Sequence, residues 1–368
     1  MEMIEKEAQI LEEKDIISGL PDFILVEILT RLCDIKLAIR TGTLSKRWER
    51  IWTCVYNLNF SCLDSHGNPI ENSKFISSID KTLTQFRCLK INKFKLLTVY
   101  DASFVSQFNN WVHYILNCKV EQVDLTLVTQ RNVQFPLPQL FFTYSCFRDL
   151  KVAGCVFNPT AAISWKQLKS LCISEGKLDE GLIENILCGS PLLETLKLED
   201  CYGYRQVNIS SKSVKNLVFN GFRVPRYDDD FEDDDDDVIE INAPYILSLK
   251  IESYLSFWKL RLLDVSSLVK AHLFYTTTFD GGHVTKREEV EEAEEEMLKG
   301  LILKLFHVKE LQIGDYCLKA LSRLEAKGFI LPSNLKVDVT SPAYSVDDFL
   351  EKYLKLITRY YHIRYNNK

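Results

Sequence analysis

The residue types that most often do chemistry are present in this sequence, but their spacing matches no known catalytic arrangement. The six histidines are isolated from one another, and no His-Glu-x-x-His motif occurs, so the usual helical zinc-hydrolase signature is missing. There is also no Gly-x-Ser-x-Gly turn to expose a nucleophile and no glycine-rich loop to hold a phosphate. The sequence therefore indicates no catalytic residue, no metal ligand and no cofactor, and we expect a protein that is not an enzyme.

The cysteines are also spaced in a way that argues against a shared chemical role. There are 11 of them, an odd number, and none forms a Cys-x-x-Cys pair. Scattered cysteines of this kind are typical of reduced thiols, so we expect the protein in the nucleus or cytoplasm. The first residues lack the apolar core of a secretory signal, and no apolar stretch is long enough to cross a bilayer. We therefore expect no membrane partner.

The charge of the chain is concentrated in two acidic runs. The formal net charge is -6, which argues against a nucleic-acid partner because phosphate binding relies on clustered Lys and Arg. Nine of the ten residues at positions 228–237 are acidic, and we predict a disordered insertion over 226–238 because these charges repel one another. The alternative, a cation site, lacks a glycine for the tight turn of a calcium loop. The second run, 288–296, is predicted to begin a helical insertion over 286–306.

The elements that would position any functional surface begin with short helices near the amino terminus. Apolar residues recur at helical spacing after Pro21 and form one stripe, which consists of Ile24, Leu25, Ile28, Leu29 and Leu32. Asp34 and Ser45 are predicted to cap a second and a third helix. A helical domain of roughly this size buries too little surface to stand alone. Part of the apolar stripe should therefore face a partner.

The motifs in this segment resemble the F-box of plant F-box/leucine-rich-repeat proteins. They are the pair Leu20-Pro21, the pair Ile28-Leu29 and the run from Leu44 to Trp48. The resemblance implies that residues 15–60 insert into a Skp-type adaptor, which in turn binds a cullin. It assigns the adaptor contacts to Leu20, Pro21, Leu25, Ile28, Leu29, Leu32, Leu44 and Trp48. The alternative is a helical cap that only shields the end of the following domain.

The remainder of the chain carries a short repeated pattern, apolar-x-x-apolar-x-apolar. Successive copies begin 21 to 40 residues apart, mostly at the spacing of leucine-rich repeats. Nine copies occur, beginning at Ile91, Val120, Phe147, Leu168, Leu193, Val214, Ile246, Leu268 and Val308. We predict a small helical domain followed by an α/β solenoid over 75–340, with a parallel sheet on its concave side and helices and loops on its convex side. Residues 341–368 are predicted to form a helical cap.

The alternation of side chains along a strand predicts which residues point out of the concave sheet. If the apolar residues of each unit point inward, the residue between the last two points outward. The predicted target-binding residues on this face are Lys95, Asp124, Lys151, Lys197, Lys250, Lys270 and His272. Because most of them are lysines, we expect a locally basic face that binds an acidic or phosphorylated segment. The alternative is a set of solvated lysines that only keep the sheet soluble.

Together with the resemblance, these patterns imply the substrate-recognition subunit of an SCF-type cullin–RING ubiquitin ligase. Such a subunit binds its target and supplies no catalytic group. Two alternatives stay open: an interaction scaffold without ligase function, and a sensor that needs a small molecule to complete its target interface.

Overall fold

A small helical module leads directly into one long parallel sheet. A computed structural model describes residues 17, 19–32, 34–64, 68–86, 90–128, 134–222, 238–254, 259–276, 287–332, 335 and 337–339. Within these ranges, no helix is both long enough and apolar enough to span a membrane.

The helical module contains three short α-helices and a 3-10 turn. They are α1 (Asp22–Thr30), α2 (Ile35–Thr41), α3 (Lys46–Ile51) and the turn Trp52–Cys54. The Asp34 carboxylate accepts a hydrogen bond of 2.9 Å from the backbone N–H of Lys36, which satisfies one of the amides left free where α2 begins. Ser45 occupies the predicted N-cap position of α3, but its side chain makes no capping hydrogen bond there.

The main sheet has eleven strands within the described part of the chain, and each neighbouring pair is parallel. In spatial order the strands are β1 (Asn57–Ser61), β2 (Lys93–Val99), β3 (Gln122–Val128), β5 (Asp149–Ala153), β7 (Ser170–Ser174), β8 (Thr195–Cys201), β10 (Asn216–Phe222), β12 (Ser248–Tyr254), β14 (Lys270–Thr276), β15 (Glu310–Ile313) and β16 (Val337–Val339). The missing numbers belong to two smaller parallel sheets, formed by β4 (Phe135–Pro136) with β6 (Cys155–Val156), and by β9 (Gln206–Asn208), β11 (Val238–Asn242) and β13 (Lys259–Leu262).

The repeated apolar pattern explains why these strands stack. Each of the nine predicted units forms a strand of the main sheet, and the three apolar residues of every unit are at most 3% exposed. One short strand cannot bury its apolar face alone, so the units form a continuous core only when they lie side by side. The predicted α/β solenoid is therefore confirmed.

Two strands of the sheet were not predicted. β1 extends the sheet to Asn57, before the predicted solenoid boundary at residue 75, and β16 adds a strand after the ninth unit. Val55, Leu58 and Phe60 have the same spacing as the other units and are also buried. The sheet therefore starts inside the segment assigned to the helical domain, and helical module and sheet share one hydrophobic core.

Helices cover much of the convex side of the sheet. They are α4 (Asn72–Gln85), α5 (Val105–Asn117), α6 (Gln139–Phe142), α7 (Glu180–Gly189), α8 (Arg287–Lys304) and α9 (Asp315–Ala326). The segment 286–306, predicted as an acidic helical insertion, contains α8, and one glutamate of this helix is buried instead of solvated. Most of the acidic insertion predicted over 226–238 lies outside the described residues, except that Val238 begins β11. The C-terminal cap predicted over 341–368 also lies outside them.

The buried glutamate joins α8 to α9. The Glu295 side chain is 6% exposed and accepts hydrogen bonds from Arg323 Nε at 2.8 Å and from Lys327 Nζ at 2.7 Å. Arg323 also donates to Glu294 at 2.9 Å. Burial raises the pKa of Glu295, but the hydrogen bonds from Lys327 and Arg323 outweigh this effect, so the pKa lies below its ordinary value. A buried carboxylate with two cationic partners therefore holds α9 against α8.

We expect the Glu295→Gln variant to have a free energy of unfolding lower by about 2 kcal/mol at neutral pH, because its cationic partners lose a charged acceptor. The folded-state pKa lies below the ordinary value of 4.5, so ionised Glu295 stabilises the fold above that pH. This contribution is lost as the pH falls through the folded-state pKa. Urea denaturation across the acid range should show the variant and the wild type converging, and a difference that widens in acid would contradict this account.

Two glycines provide a matched test of the packing. A Cβ added to Gly300 in α8 would meet no atom within 4 Å, so Gly300→Ala should raise the free energy of unfolding by about 0.5–1 kcal/mol. A Cβ added to Gly189 at the end of α7 would lie 2.4 Å from the Ile163 carbonyl oxygen. Gly189→Ala should therefore lower the free energy of unfolding by about 1–3 kcal/mol. Chemical denaturation measures the free energy of unfolding of both variants. Equal changes in the two variants would contradict the close packing of Gly189 against Ile163.

Candidate protein-binding surfaces

The helical module contributes buried residues to the core that it shares with the sheet, and two of them belong to the stripe that the sequence predicted. Leu25 and Leu29 of α1 and Trp48 of α3 are buried, together with Ile51 and Trp52. The sequence assigned Leu25, Leu29 and Trp48 to adaptor binding, but in this structure they pack inside their own chain. Their assignment as surface contacts therefore needs correction. The physical reason is that three short helices bury the centre of the stripe against one another and leave its margins outside.

The same module leaves several large apolar side chains on its surface. Their exposed fractions are 56% for Ile17, 70% for Phe23, 44% for Ile28, 44% for Leu37 and 67% for Leu44. Among the other predicted contacts, Pro21 is exposed and Leu20 and Leu32 are half-buried. Ile17, Phe23 and Leu37 were not among the adaptor contacts predicted from the sequence. Phe23 could have been found, because a large apolar residue outside the buried stripe of a helix has no core to enter.

Polar contacts hold this surface in a fixed position. The Arg47 guanidinium of α3 donates to the Asp22 carboxylate at 2.8 Å and to the backbone carbonyl of Leu20. The Tyr56 hydroxyl donates to Glu27 of α1, which also pairs with Arg31. These bonds tie the start of α1 to α3 and its middle to the segment before β1. The exposed apolar residues therefore lie on helices that are joined to one another by hydrogen bonds and ion pairs.

A second connection joins the module to the sheet. Lys36 Nζ of α2 donates to the backbone carbonyl of Ser61 at 2.8 Å, where β1 ends, and lies 5.6 Å from the centre of the Phe75 ring in α4. A lysine placed over an aromatic face gains a further electrostatic attraction. The helical module and the first repeat are therefore packed as neighbours in one structure.

The second candidate surface is the concave face of the sheet. The strand register aligns the predicted outward residues in one row, here called the middle row, which runs Asn59, Lys95, Asp124, Lys151, Cys172, Lys197, Val218, Lys250, His272, Gln312 and Asp338. The structure thus brings six of the seven predicted target-binding residues into one line. Lys270 lies two residues earlier on β14, next to Glu310 of β15.

The lysines of this face do not form the basic patch that the sequence suggested. Lys95 pairs with Asp124 at 3.2 Å, Lys250 with Glu252 at 2.5 Å, and Lys270 with Glu310 at 2.7 Å. A looser pair joins Lys151 to Glu199 at 3.9 Å, across the intervening strand β7. Each of these lysines therefore has a carboxylate neighbour on the same face. The expectation of a basic face does not hold for them, because acids come from the middle row itself, as Asp124, and from the rows on either side of it, as Glu199, Glu252 and Glu310.

The two reactive side chains in the middle row are held in unreactive states. Burial, followed by the nearby Glu199 carboxylate, raises the pKa of the Cys172 thiol to about 12, so it is protonated at neutral pH and is a poor nucleophile. Burial, followed by the positive charge of Lys250, lowers the pKa of His272, so its imidazole is neutral under the same conditions. This face is therefore suited to contacts and not to covalent chemistry at Cys172. No group of three or more potential metal ligands occurs among the described residues.

Comparison with known proteins gives a family for the repeat sheet and similar proteins for most of the chain. Residues 83–313 match the family described as the LRR domain of At1g61320/AtMIF1. Three similar proteins come from Arabidopsis thaliana. "F-box protein At5g03100" is 31% identical over 322 residues, which is 86% of this chain and 94% of the relative. "Putative F-box/LRR-repeat protein At3g18150" is 30% identical over 90% of this chain and 67% of the relative.

"F-box/LRR-repeat protein At5g02910" is 32% identical over 72% of this chain and 53% of its own length, so the chain spans about half of that relative. The family match covers nine of the eleven strands of the main sheet, and the first relative aligns over nearly its full length. The names of the second and third relatives combine an F-box with leucine-rich repeats, and the structure likewise has a helical module followed by a repeat sheet. The chain therefore belongs to the F-box/leucine-rich-repeat protein family.

Proposed function

We propose that this protein is the substrate-recognition subunit of an SCF-type cullin–RING ubiquitin ligase. The helical module binds a Skp-type adaptor and, through it, a cullin, while the concave face of the sheet binds the target protein. The observation that carries the proposal is the exposed apolar set of the helical module, Ile17, Phe23, Ile28, Leu37 and Leu44. Its family membership supports the same role, because the first relative is itself named an F-box protein.

The size of the exposed set supports a permanent partner. Burying one Leu, Ile or Phe side chain stabilises an association by about 1.5–3 kcal/mol. Covering the exposed parts of these five side chains would offset part of the cost of immobilising two proteins. A short helical module has little reason to leave five such residues in water unless another protein covers them.

The catalytic contribution of such a subunit is positional. It holds a target beside a ubiquitin-charged enzyme recruited elsewhere on the complex and thereby raises the effective concentration of the reacting groups. The chain itself supplies no reacting group in this proposal. We place the protein in the nucleus or cytoplasm, a proposal supported by the nine described cysteines, which are all free thiols.

The proposal predicts that acidic substitutions on the exposed apolar set abolish adaptor binding. Phe23→Asp and Leu44→Asp each place a charge where the adaptor must exclude water, so affinity for a plant Skp-type adaptor should fall at least about tenfold. Calorimetric titration of the purified chain measures this effect. Ile330→Asp is the matched control, because Ile330 is 86% exposed but lies near the other end of the sheet.

Both F-box variants should melt close to the wild-type temperature, since neither side chain belongs to the core. Leu29→Asp is unsuitable for this test, because Leu29 is 4% exposed and a buried charge would unfold the module. If the adaptor bound Phe23→Asp, Leu44→Asp and the Ile330→Asp control with equal affinity, the proposed docking surface would be wrong. If the wild-type chain failed to bind the adaptor, the ligase function itself would be refuted.

A further inference from the structure

One aromatic side chain on the concave face lies outside the hydrophobic core. The residues two positions after the middle row form a neighbouring row, here called the distal row, which runs Ser61, Leu97, Thr126, Ala153, Ser174, Glu199, Asn220, Glu252 and Phe274. Thr126 and Ala153 are buried, whereas Ser174 and the residues after it are partly exposed. The open part of this row is polar until it reaches Phe274.

The backbone next to Phe274 leaves room for the phenyl ring because the neighbouring residue, Gly314, has no side chain. Gly314 follows β15 directly beside Phe274, and a Cβ built on Gly314 would lie 2.9 Å from Cδ1 of the Phe274 ring. Any other residue there would push the ring away from the sheet. The His272 imidazole, two residues earlier on the same strand, has its centre 6.0 Å from that of the Phe274 ring. The ring is therefore held in one position although it remains partly open to solvent.

The charges around Phe274 are already balanced. Lys250 of β12 pairs with Glu252 at 2.5 Å, and Lys270 of β14 pairs with Glu310 at 2.7 Å, so both lysines of the middle row and its neighbour at this end of the sheet have a carboxylate partner. Gln312 contributes a neutral amide and hydrogen-bonds His272, whose imidazole is uncharged at neutral pH. A strongly acidic or phosphorylated segment would have to displace these carboxylates. An uncharged apolar segment leaves the ion pairs intact.

We infer that Phe274 is the anchor at which the concave face binds its target, an inference that rests on the proposed function. The partner is an unmodified peptide segment that places one large apolar side chain on the Phe274 ring. Hydrogen bonds to Gln312 and His272 fix the orientation of this segment. Interfaces draw most of their affinity from a few rigid apolar or aromatic anchors surrounded by polar residues. This arrangement occurs at the β14 end of the sheet and not along the lysines of the middle row.

The test uses the purified full chain bound to its adaptor and a library of random linear peptides displayed on phage. The enriched peptides should share one large apolar residue and should carry no common acidic motif. Their affinity, measured by fluorescence polarisation, should fall at least about tenfold in Phe274→Ala and recover in Phe274→Leu, which restores apolar contact. Leu97→Ala is the matched control, since Leu97 occupies the same row seven strands away, and it should bind within about twofold of the wild type.

Three outcomes of the peptide experiment overturn the inference. They are the enrichment of no peptide, the enrichment of acidic peptides whose binding depends on Lys197 or Lys250, and binding that survives Phe274→Ala. Light scattering tests whether the ring binds a second copy of this chain instead of a target. If the wild type self-associates and Phe274→Ala does not, the inference is also wrong. Adaptor affinity measured on the same samples separates the two proposals, because Phe274 substitutions leave the helical module unchanged.

Discussion

The structure depends on one constraint, which is that a strand of three to seven residues cannot bury its apolar face by itself. Each repeat supplies three buried apolar residues, and only the neighbouring repeats can cover them. Parallel stacking satisfies this requirement and also fixes the register, so that residues separated by more than twenty positions in the sequence form straight rows on the concave face. The binding surface is thus a consequence of how the core is closed.

The same stacking sets the distance between the two candidate surfaces. The helical module contacts β1, and Phe274 lies on β14, eight strands along the sheet. At about 4.8 Å between strands, this corresponds to roughly 40 Å along the sheet. The described chain between these strands is joined by one continuous hydrophobic core. A target anchored at Phe274 would therefore be held at a set distance from an adaptor on the helical module, which suits a subunit whose role is to position its target.

The sequence predicted the parts of the fold that depend on spacing alone. All nine repeat units are strands because their apolar positions repeat with the same offsets, whereas β1 was missed because Val55, Leu58 and Phe60 directly follow the helical motifs. Membership in the family was also visible in short motifs such as Leu44 to Trp48. These features need no knowledge of which side chains meet in space.

The candidate sites were harder to predict because they depend on tertiary contacts. Leu25 and Ile28 have the same residue character and belong to one helical stripe, yet one is buried and the other is 44% exposed. The loose pairing of Lys151 with Glu199 crosses an intervening strand, which no pattern along the chain reveals. Phe274 could be assigned to the concave face from sequence, because that assignment needs only the alternation of side chains along a strand. Its close approach to Gly314 could not be predicted, because it depends on how two strands lie next to each other. The central claim, that the exposed helical module and not the sheet binds the adaptor, is tested most directly by hydrogen–deuterium exchange with and without a Skp-type adaptor. The account predicts slower exchange in α1 and α2 and no change in the strands from β2 to β15, whereas protection of those strands without protection of the helices would contradict it.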